Sequence, residues 1–246
     1  MQLIPVLYFL IFGILPNNYT SMDNVDKNLL LGKFKPEAYE NFVKVTAPYT
    51  QKDGIYLQKE TYDAFRLMFD AAKKDGISLT IISATRNFDR QKVIWENKWN
   101  GTTLVGGKNL KTSIPDPVER AQKILTYSSM PGTSRHHWGT DIDINSVTNS
   151  YFQSAKGLKE YNWLVSNASD FGFCQPYKMK GTERMSGYED EPWHWSYLPL
   201  SNELTNLYVQ YITYDDIKGF QGDLTAEKID VIKNFVLGIH SDCIKD

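Results

Sequence analysis

The sequence predicts an α+β fold. Three observations carry that expectation. Segments with apolar residues at three- and four-residue spacing read as helices, and shorter β-branched or alternating segments read as strands. The two kinds interleave without the regular strand–helix alternation of a doubly wound sheet. The composition is globular, with 41% hydrophobic, 13% aromatic and 23% charged residues in a 246-residue chain. That length is sufficient for one large domain or two small ones to bury a core.

Taken in order, residues 3–15 (LIPVLYFLIFGIL) form an apolar run broken by Pro5 and Gly13. A helix of that length spans about 20 Å, short of a ~30 Å hydrocarbon core, and fits the apolar part of a secretory signal. No Lys or Arg precedes the run and no small-x-small cleavage pattern follows it, so a buried helix or a membrane anchor competes with that reading. The expectation is a signal segment over 1–21 and a mature chain starting near Ser21 with no stable membrane span, exported to the periplasm or cell envelope. Residues 23–51 read as irregular, punctuated by Pro36 and Pro48. Residues 60–74 read as a helix, with Tyr62, Phe65, Met68, Phe69 and Ala72 on one face and Gly76 beyond its end. Residues 77–83 (ISLTIIS) read as a strand and 88–99 as a helix, followed by a Gly-rich loop over 101–115. Asp116 and Pro117 start another helix, as cap and first residue, with Val118, Ala121, Ile124 and Leu125 inward. Residues 141–145 (DIDIN) alternate, so Ile142 and Ile144 face one side and Asp141 and Asp143 the other. A helix over 158–170 ends at Gly172, and 193–198 is a short strand with Trp193, Trp195 and Tyr197 on one face. Ser201 is expected to cap a helix carrying Leu204, Leu207, Tyr208 and Tyr211, and a last amphipathic helix starts near Thr225 with Ile229, Ile232 and Val236 inward.

Charge excludes one class of function. Lys and Arg number 27 against 29 Asp and Glu, a net charge of −2, which provides no field to hold nucleic acid. Two cysteines, Cys174 and Cys243, are too few for a disulfide framework or a Cys-rich zinc site. They are expected as unlinked thiols, with a single bridge as the alternative in an oxidising compartment.

The chemistry concentrates elsewhere. Of four histidines, three fall in two short segments, SRHHWGTDID and EDEPWHW. Gly139 allows a tight turn that brings His136 beside the strand face from which Asp143 points. Asp141 and Asp143 on one face repel each other unless a cation or hydrogen-bond donors sit between them. In the second segment His194 projects from the face opposite the aromatic residues, and Glu191 approaches it across Pro192. Alone, each segment also fits a polar turn, a half-exposed strand or a surface Glu. Together they supply two histidines and a carboxylate, which suits a catalytic zinc with a water in its fourth position. Glu191 remains as a base close to that water without being a ligand. Arg86 stands at the end of the 77–83 strand with Gln91 five residues on, and a guanidinium there matches a free C-terminal carboxylate, hence an exopeptidase.

In this order the segments Ser83-Ala84-Thr85-Arg86 with Gln91, Ser134-Arg135-His136 through Asp143, and Glu191-Pro192-Trp193-His194 resemble the zinc D-alanyl-D-alanine carboxypeptidases of the VanY type. The likeness covers roughly residues 51–200. It implies a small central antiparallel sheet flanked by helices, shared with the Hedgehog signalling domain. It implies one Zn2+ held by His136, Asp143 and His194, with His137 outside the ligand set and Glu191 as catalytic base. Arg86 would stabilise the oxyanion or grip the terminal carboxylate, Gln91 and Ser134 would contact substrate, and Trp193 would line the pocket. The implied reaction is removal of the C-terminal residue of peptidoglycan stem peptides by metal-activated water. An L,D-carboxypeptidase or a D,D-dipeptidase uses the same ligands, and a non-catalytic zinc-bearing cell-wall binding module is the reading from another class. The expected partner is the stem peptide, not nucleic acid, and the expected state is a monomer. Three departures from the family stand out: Thr85 where Tyr is common, Asp141 where a small residue is common, and Ser196 where Arg is frequent. Asp141 either adds negative charge near the metal or hydrogen-bonds a ligand histidine. The peptidase is expected over 51–214, between an N-terminal segment (22–50) and a C-terminal helical extension (215–246).

Overall fold

The structure, a computed structural model, describes residues 26–245. The expected signal segment lies outside these residues. Among the described residues no helix is long and apolar enough to cross a membrane.

The chain enters through a short helix, α1 (Lys27–Leu31), whose first turn is capped by the Asp26 carboxylate accepting from the Asn28 amide. A 3-10 turn at Pro36–Ala38 leads to β1 (Phe42–Lys44), which pairs antiparallel with β2 (Tyr56–Gln58). The first three of these elements replace the irregular segment expected over 23–51. Their brevity, three to five residues each, leaves too little periodicity to read. Next come α2 (Lys59–Lys74), β3 (Ile81–Ser83), α3 (Phe88–Trp99), α4 (Leu110–Ser113) and α5 (Pro117–Ile124). The Asp116 carboxylate accepts from the Val118 and Glu119 amides, the cap its sequence context predicts. A 3-10 turn at Arg135–Trp138 then leads into β4 (Asp141–Ile144), followed by α6 (Asn149–Phe152), α7 (Ala155–Asn167) and β5 (Phe173–Cys174). The last elements are β6 (His194–Tyr197), α8 (Leu198–Tyr211) and α9 (Thr225–Lys228).

Four strands form an antiparallel sheet in the order β3-β4-β6-β5. This is the small central sheet flanked by helices that the family likeness implies, within the α+β class read from the sequence. Ile142, Ile144 and Trp195 project from one face into an apolar cluster with Phe65, Met68 and Ala72 of α2 and Leu164 of α7. The opposite face carries Asp141, Asp143, His194 and Ser196 and lies under the 3-10 turn and α8. β4, for which a half-exposed strand was the competing reading, is buried along its whole length.

Two further expectations are corrected. Ser201 does not cap a helix: α8 begins three residues earlier, with Pro199 in its first turn, where a fixed φ is an advantage. The last helix does not run on from Thr225. Asp230 adopts φ 52, its carboxylate accepting from the Tyr214 hydroxyl, and the chain resumes as a π-helical turn at Ile232–Val236. Ile229 and Val236 are still buried, as their spacing predicts.

Segments on either side of the central region pack onto it. Leu30 and Leu31 of α1, Trp95 and Trp99 of α3, and Ile217, Phe220 and Val236 share one apolar cluster. Cys174 and Cys243 are joined by a disulfide with Cα atoms 5.5 Å apart, in place of the two free thiols expected. Only the fold brings together positions 69 residues apart. A bridge closing so long a loop restricts the unfolded chain. Replacing both cysteines by Ser is expected to lower the unfolding free energy by about 2–4 kcal/mol. Denaturant titration with and without reductant checks this, and coincident midpoints would show that the crosslink adds nothing.

Candidate functional site

Strand register builds the site. Asp143 lies opposite His194 on one side and opposite Ser83 on the other, and Asp141 lies opposite Ser196. One four-residue strand thus joins all three sequence segments, because Arg86 follows three residues after Ser83. His136 arrives from the 3-10 turn above the sheet. That turn ends at Gly139 in the left-handed region, φ 71, where an added Cβ would stand 2.4 Å from the Phe42 ring.

The imidazole tautomers follow from their partners. His136 Nδ1 donates to the Ala84 carbonyl at 2.8 Å, leaving Nε2 with its lone pair. His194 Nε2 donates to Asp141 Oδ2 at 2.8 Å, so it is Nδ1 that carries the lone pair once the ring is neutral. His136 Nε2 and His194 Nδ1 each stand 3.4 Å from Asp143 Oδ1. Two donors 2.0–2.1 Å from one tetrahedral ion stand about 3.4 Å apart, so these spacings match a shared zinc-sized cation. His136 Nε2 and Asp143 Oδ1 are also buried without any hydrogen-bond partner. Such orphaned atoms are costly unless something binds there. Among the described residues, His136, Asp143 and His194 form the one group of three whose donor atoms converge this way.

The surrounding groups hold these donors in place. Asp141 Oδ1 accepts from Thr140 Oγ1 and Ser196 Oγ, both at 2.8 Å, and Oδ2 accepts from Arg135 Nε at 3.2 Å as well as from His194. Of the two roles open to Asp141, the structure has the hydrogen bond to a histidine of the donor group. Arg135 is itself buried, donating to Thr205 Oγ1 at 2.9 Å and Ser196 Oγ at 3.0 Å. Burial alone would raise the Asp141 carboxyl, but Arg135 and His194 hold it well below the usual carboxylate range. Asp143 is likewise held low against its burial by His136, His194 and Arg86. His137 has both nitrogens occupied: Nδ1 donates to the Arg86 carbonyl at 2.5 Å and Nε2 accepts from the Gly132 amide at 3.0 Å. It is buried and pins the Arg86 backbone, so it has no nitrogen to offer a metal.

Glu191 lies outside the donor group, with Oε2 3.3 Å from His194 Nδ1. Burial pushes its carboxyl up, and the hydrogen bond to His194 pulls it part of the way back. Arg86 Nη1 reaches Asp143 Oδ2 at 3.3 Å and Ser83 Oγ at 3.0 Å, and Nε donates to Gln91 Oε1 at 3.1 Å. Gln91 Nε2 donates to the Ser129 carbonyl at 2.8 Å, so both ends of that amide are engaged in orienting Arg86.

A cavity of about 460 Å³ opens over this cluster, lined in part by Arg86, Gln91, His136, Asp143, Glu191 and Trp193. Ser134 and His194 line a smaller recess beneath it, together with Arg86, His136 and Glu191. The Ser134 hydroxyl is buried there without a partner. The sequence-predicted site residues therefore line this cavity and the adjoining recess. Sequence reasoning missed Lys98, Tyr127, Ser128 and Asn149, which also line it. Lys98 was within reach, since it follows Gln91 and Ile94 at helical spacing on α3.

The chain is 36% identical to YodJ of Bacillus subtilis (strain 168) over 145 residues, 58% of this chain and 46% of that protein. It is 30% identical to a D-alanyl-D-alanine carboxypeptidase of Enterococcus faecalis over 149 residues, 61% of this chain and 50% of that one. The chain thus spans about half the length of the curated relatives it matches. Among solved structures it is similar to the LdcB LD-carboxypeptidase, with a TM-score of 0.50 and 26% identity, covering 76% of this chain and 81% of that chain. A family model described as VanY, D-alanyl-D-alanine carboxypeptidase, matches residues 54–200. That stretch is more than half of the sequence and contains the whole donor cluster, so the chain belongs to the VanY D-alanyl-D-alanine carboxypeptidase family.

Proposed function

We propose that the protein is a zinc-dependent D-alanyl-D-alanine carboxypeptidase that removes the C-terminal residue of peptidoglycan stem peptides. The observation that carries this reading is the convergence of His136 Nε2, Asp143 Oδ1 and His194 Nδ1 at zinc-ligand spacing, beside a carboxylate that is not one of the three. Two imidazoles and one carboxylate are a common donor set of catalytic zinc. The bound metal would supply Lewis acidity to the carbonyl under attack and make water acidic enough to ionise near neutral pH. Glu191 accepts the proton of the attacking water and hands it to the leaving amine. Its raised pKa suits both halves of that transfer. Arg86, braced by Ser83, Gln91 and Asp143, faces the carbonyl oxygen as negative charge develops on it. Trp193 forms an apolar wall and Ser134 contacts the substrate in the recess.

A second reading, L,D-carboxypeptidase activity, is favoured by the likeness to LdcB, because the same donor cluster serves either stereochemistry. A non-catalytic binding module would have no use for Glu191. We assign the peptidase to residues 51–214, with an N-terminal segment over 22–50 and a C-terminal extension over 215–246, and export to residues 1–21. The disulfide supports a destination outside the reducing cytosol. All donors and the base come from one chain, so a monomer suffices.

Three outcomes test the reading. Glu191→Gln is expected to keep one zinc per chain while kcat on a stem pentapeptide falls about a hundred- to ten-thousand-fold. Metal analysis beside product identification checks this, and an unimpaired variant would remove Glu191 from the reaction. Asp141→Asn is expected to weaken zinc binding about ten- to a hundredfold, because the carboxylate that orients His194 and raises its basicity is lost. Competition with a chromophoric chelator measures it. The third outcome concerns pH. Burial opposes protonation of His194, but Asp141 and Glu191 outweigh it and draw its pKa up to about 9. A proton on Nδ1 competes with the metal, so zinc affinity should rise between pH 6 and about 9 with release of a proton. Calorimetry in buffers of different ionisation enthalpy would detect that proton.

A further inference from the structure

Two cations face the cavity, and they are differently employed. Arg86 is tied to Asp143, Ser83 and Gln91, at the floor beside the donor cluster. Lys98 has no such partner: among the described residues no carboxylate lies within ion-pair distance of it, and its ammonium donates to Ser128 Oγ. Gln91, Ile94 and Lys98 fall on one face of α3 and line the cavity together with Ser128. Lys98 lies two turns beyond Gln91, and helical side chains lean toward the N-terminus, which directs its ammonium back toward Arg86. Burial, and then repulsion from Arg86, push the Lys98 pKa below that of an ordinary lysine, with Glu191 acting in the opposite sense. A half-buried ammonium held against another cation is a binding point for an anion.

We propose that Lys98, with the Ser128 hydroxyl, forms the subsite that takes the C-terminal carboxylate of the substrate, leaving Arg86 to the carbonyl oxygen. This rests on the carboxypeptidase reading above and specifies the residue that makes the site an exopeptidase. A free carboxylate completes the pairing that Lys98 lacks, whereas an amidated or extended terminus would strand its ammonium.

The test compares zinc-loaded wild type, Lys98→Met and Lys98→Arg on a stem pentapeptide and on the same peptide with its C-terminus amidated. Wild type is expected to prefer the free acid in kcat/KM. Lys98→Met, of similar length but uncharged, is expected to reduce the acid-to-amide ratio about ten- to a hundredfold, the weight of one charge-assisted hydrogen bond. Lys98→Arg is expected to keep most of that ratio, and zinc content is expected to stay at one per chain in all three. A Lys98→Met enzyme that retains the wild-type ratio overturns the subsite while leaving the carboxypeptidase reading intact. A zinc-loaded wild type that cleaves neither peptide overturns both.

Discussion

Two aspartates on one buried face of a four-residue strand set the terms for the rest of this structure. Removing carboxylates from water is costly unless each is paired and hydrogen-bonded. Asp141 and Asp143 are 0% and 3% exposed, and the chain treats them differently. Asp141 receives four hydrogen bonds, from Thr140, Ser196, Arg135 and His194, and is satisfied within the protein. Asp143 receives Arg86 on Oδ2, while Oδ1 points between two imidazole nitrogens with no donor of its own. The first carboxylate is structural support and the second is available to a cation. The division follows from position on the strand: Asp141 opens β4 beside Arg135, and Asp143, two residues further along, lines the cavity.

Much of the support for the donor cluster comes from outside the stretch that matches the family. Trp138, at the end of the turn that carries His136, donates from its indole to the Leu30 carbonyl of α1 at 3.1 Å. Gly32, just beyond α1, allows the His137 ring to approach so closely that a Cβ there would stand 2.3 Å from Nδ1. His137 in turn holds the backbone of Arg86. At the other end, the Trp95 indole of α3 donates to the Gln221 carbonyl at 2.8 Å, and the disulfide ties residue 243 to β5. The N- and C-terminal segments act as clamps on the elements that aim His136, Arg86 and Gln91.

The departures from the family pattern make sense as a set. Ser196 stands where an Arg is frequent, and the buried guanidinium beside it comes instead from Arg135, which donates to Ser196 Oγ and to Asp141. Asp141 stands where a small residue is common, and its charge is the one Arg135 neutralises. In this chain Asp141, Arg135 and Ser196 together hold the His194 imidazole in orientation. Thr85 has a local role only: its hydroxyl donates to the Tyr56 carbonyl at 2.6 Å and secures the end of β3.

The long helices at residues 59–74 and 88–99, the α+β class and the identity of the donor residues were all legible in the linear sequence. Apolar spacing shows along a single segment, and metal-binding chemistry is confined to very few residue types. The short elements α1, β1, β2 and β5 were not legible, because two to five residues hold too little pattern and their stability comes from what they pack against. Only tertiary structure decided that β4 is buried on both faces, that Cys174 meets Cys243, that Asp141 supports His194 and that Lys98 shares a cavity with Arg86. Each of these is a meeting between residues distant in sequence, set by strand register and helix packing. Such meetings leave no signature in either partner's local neighbourhood.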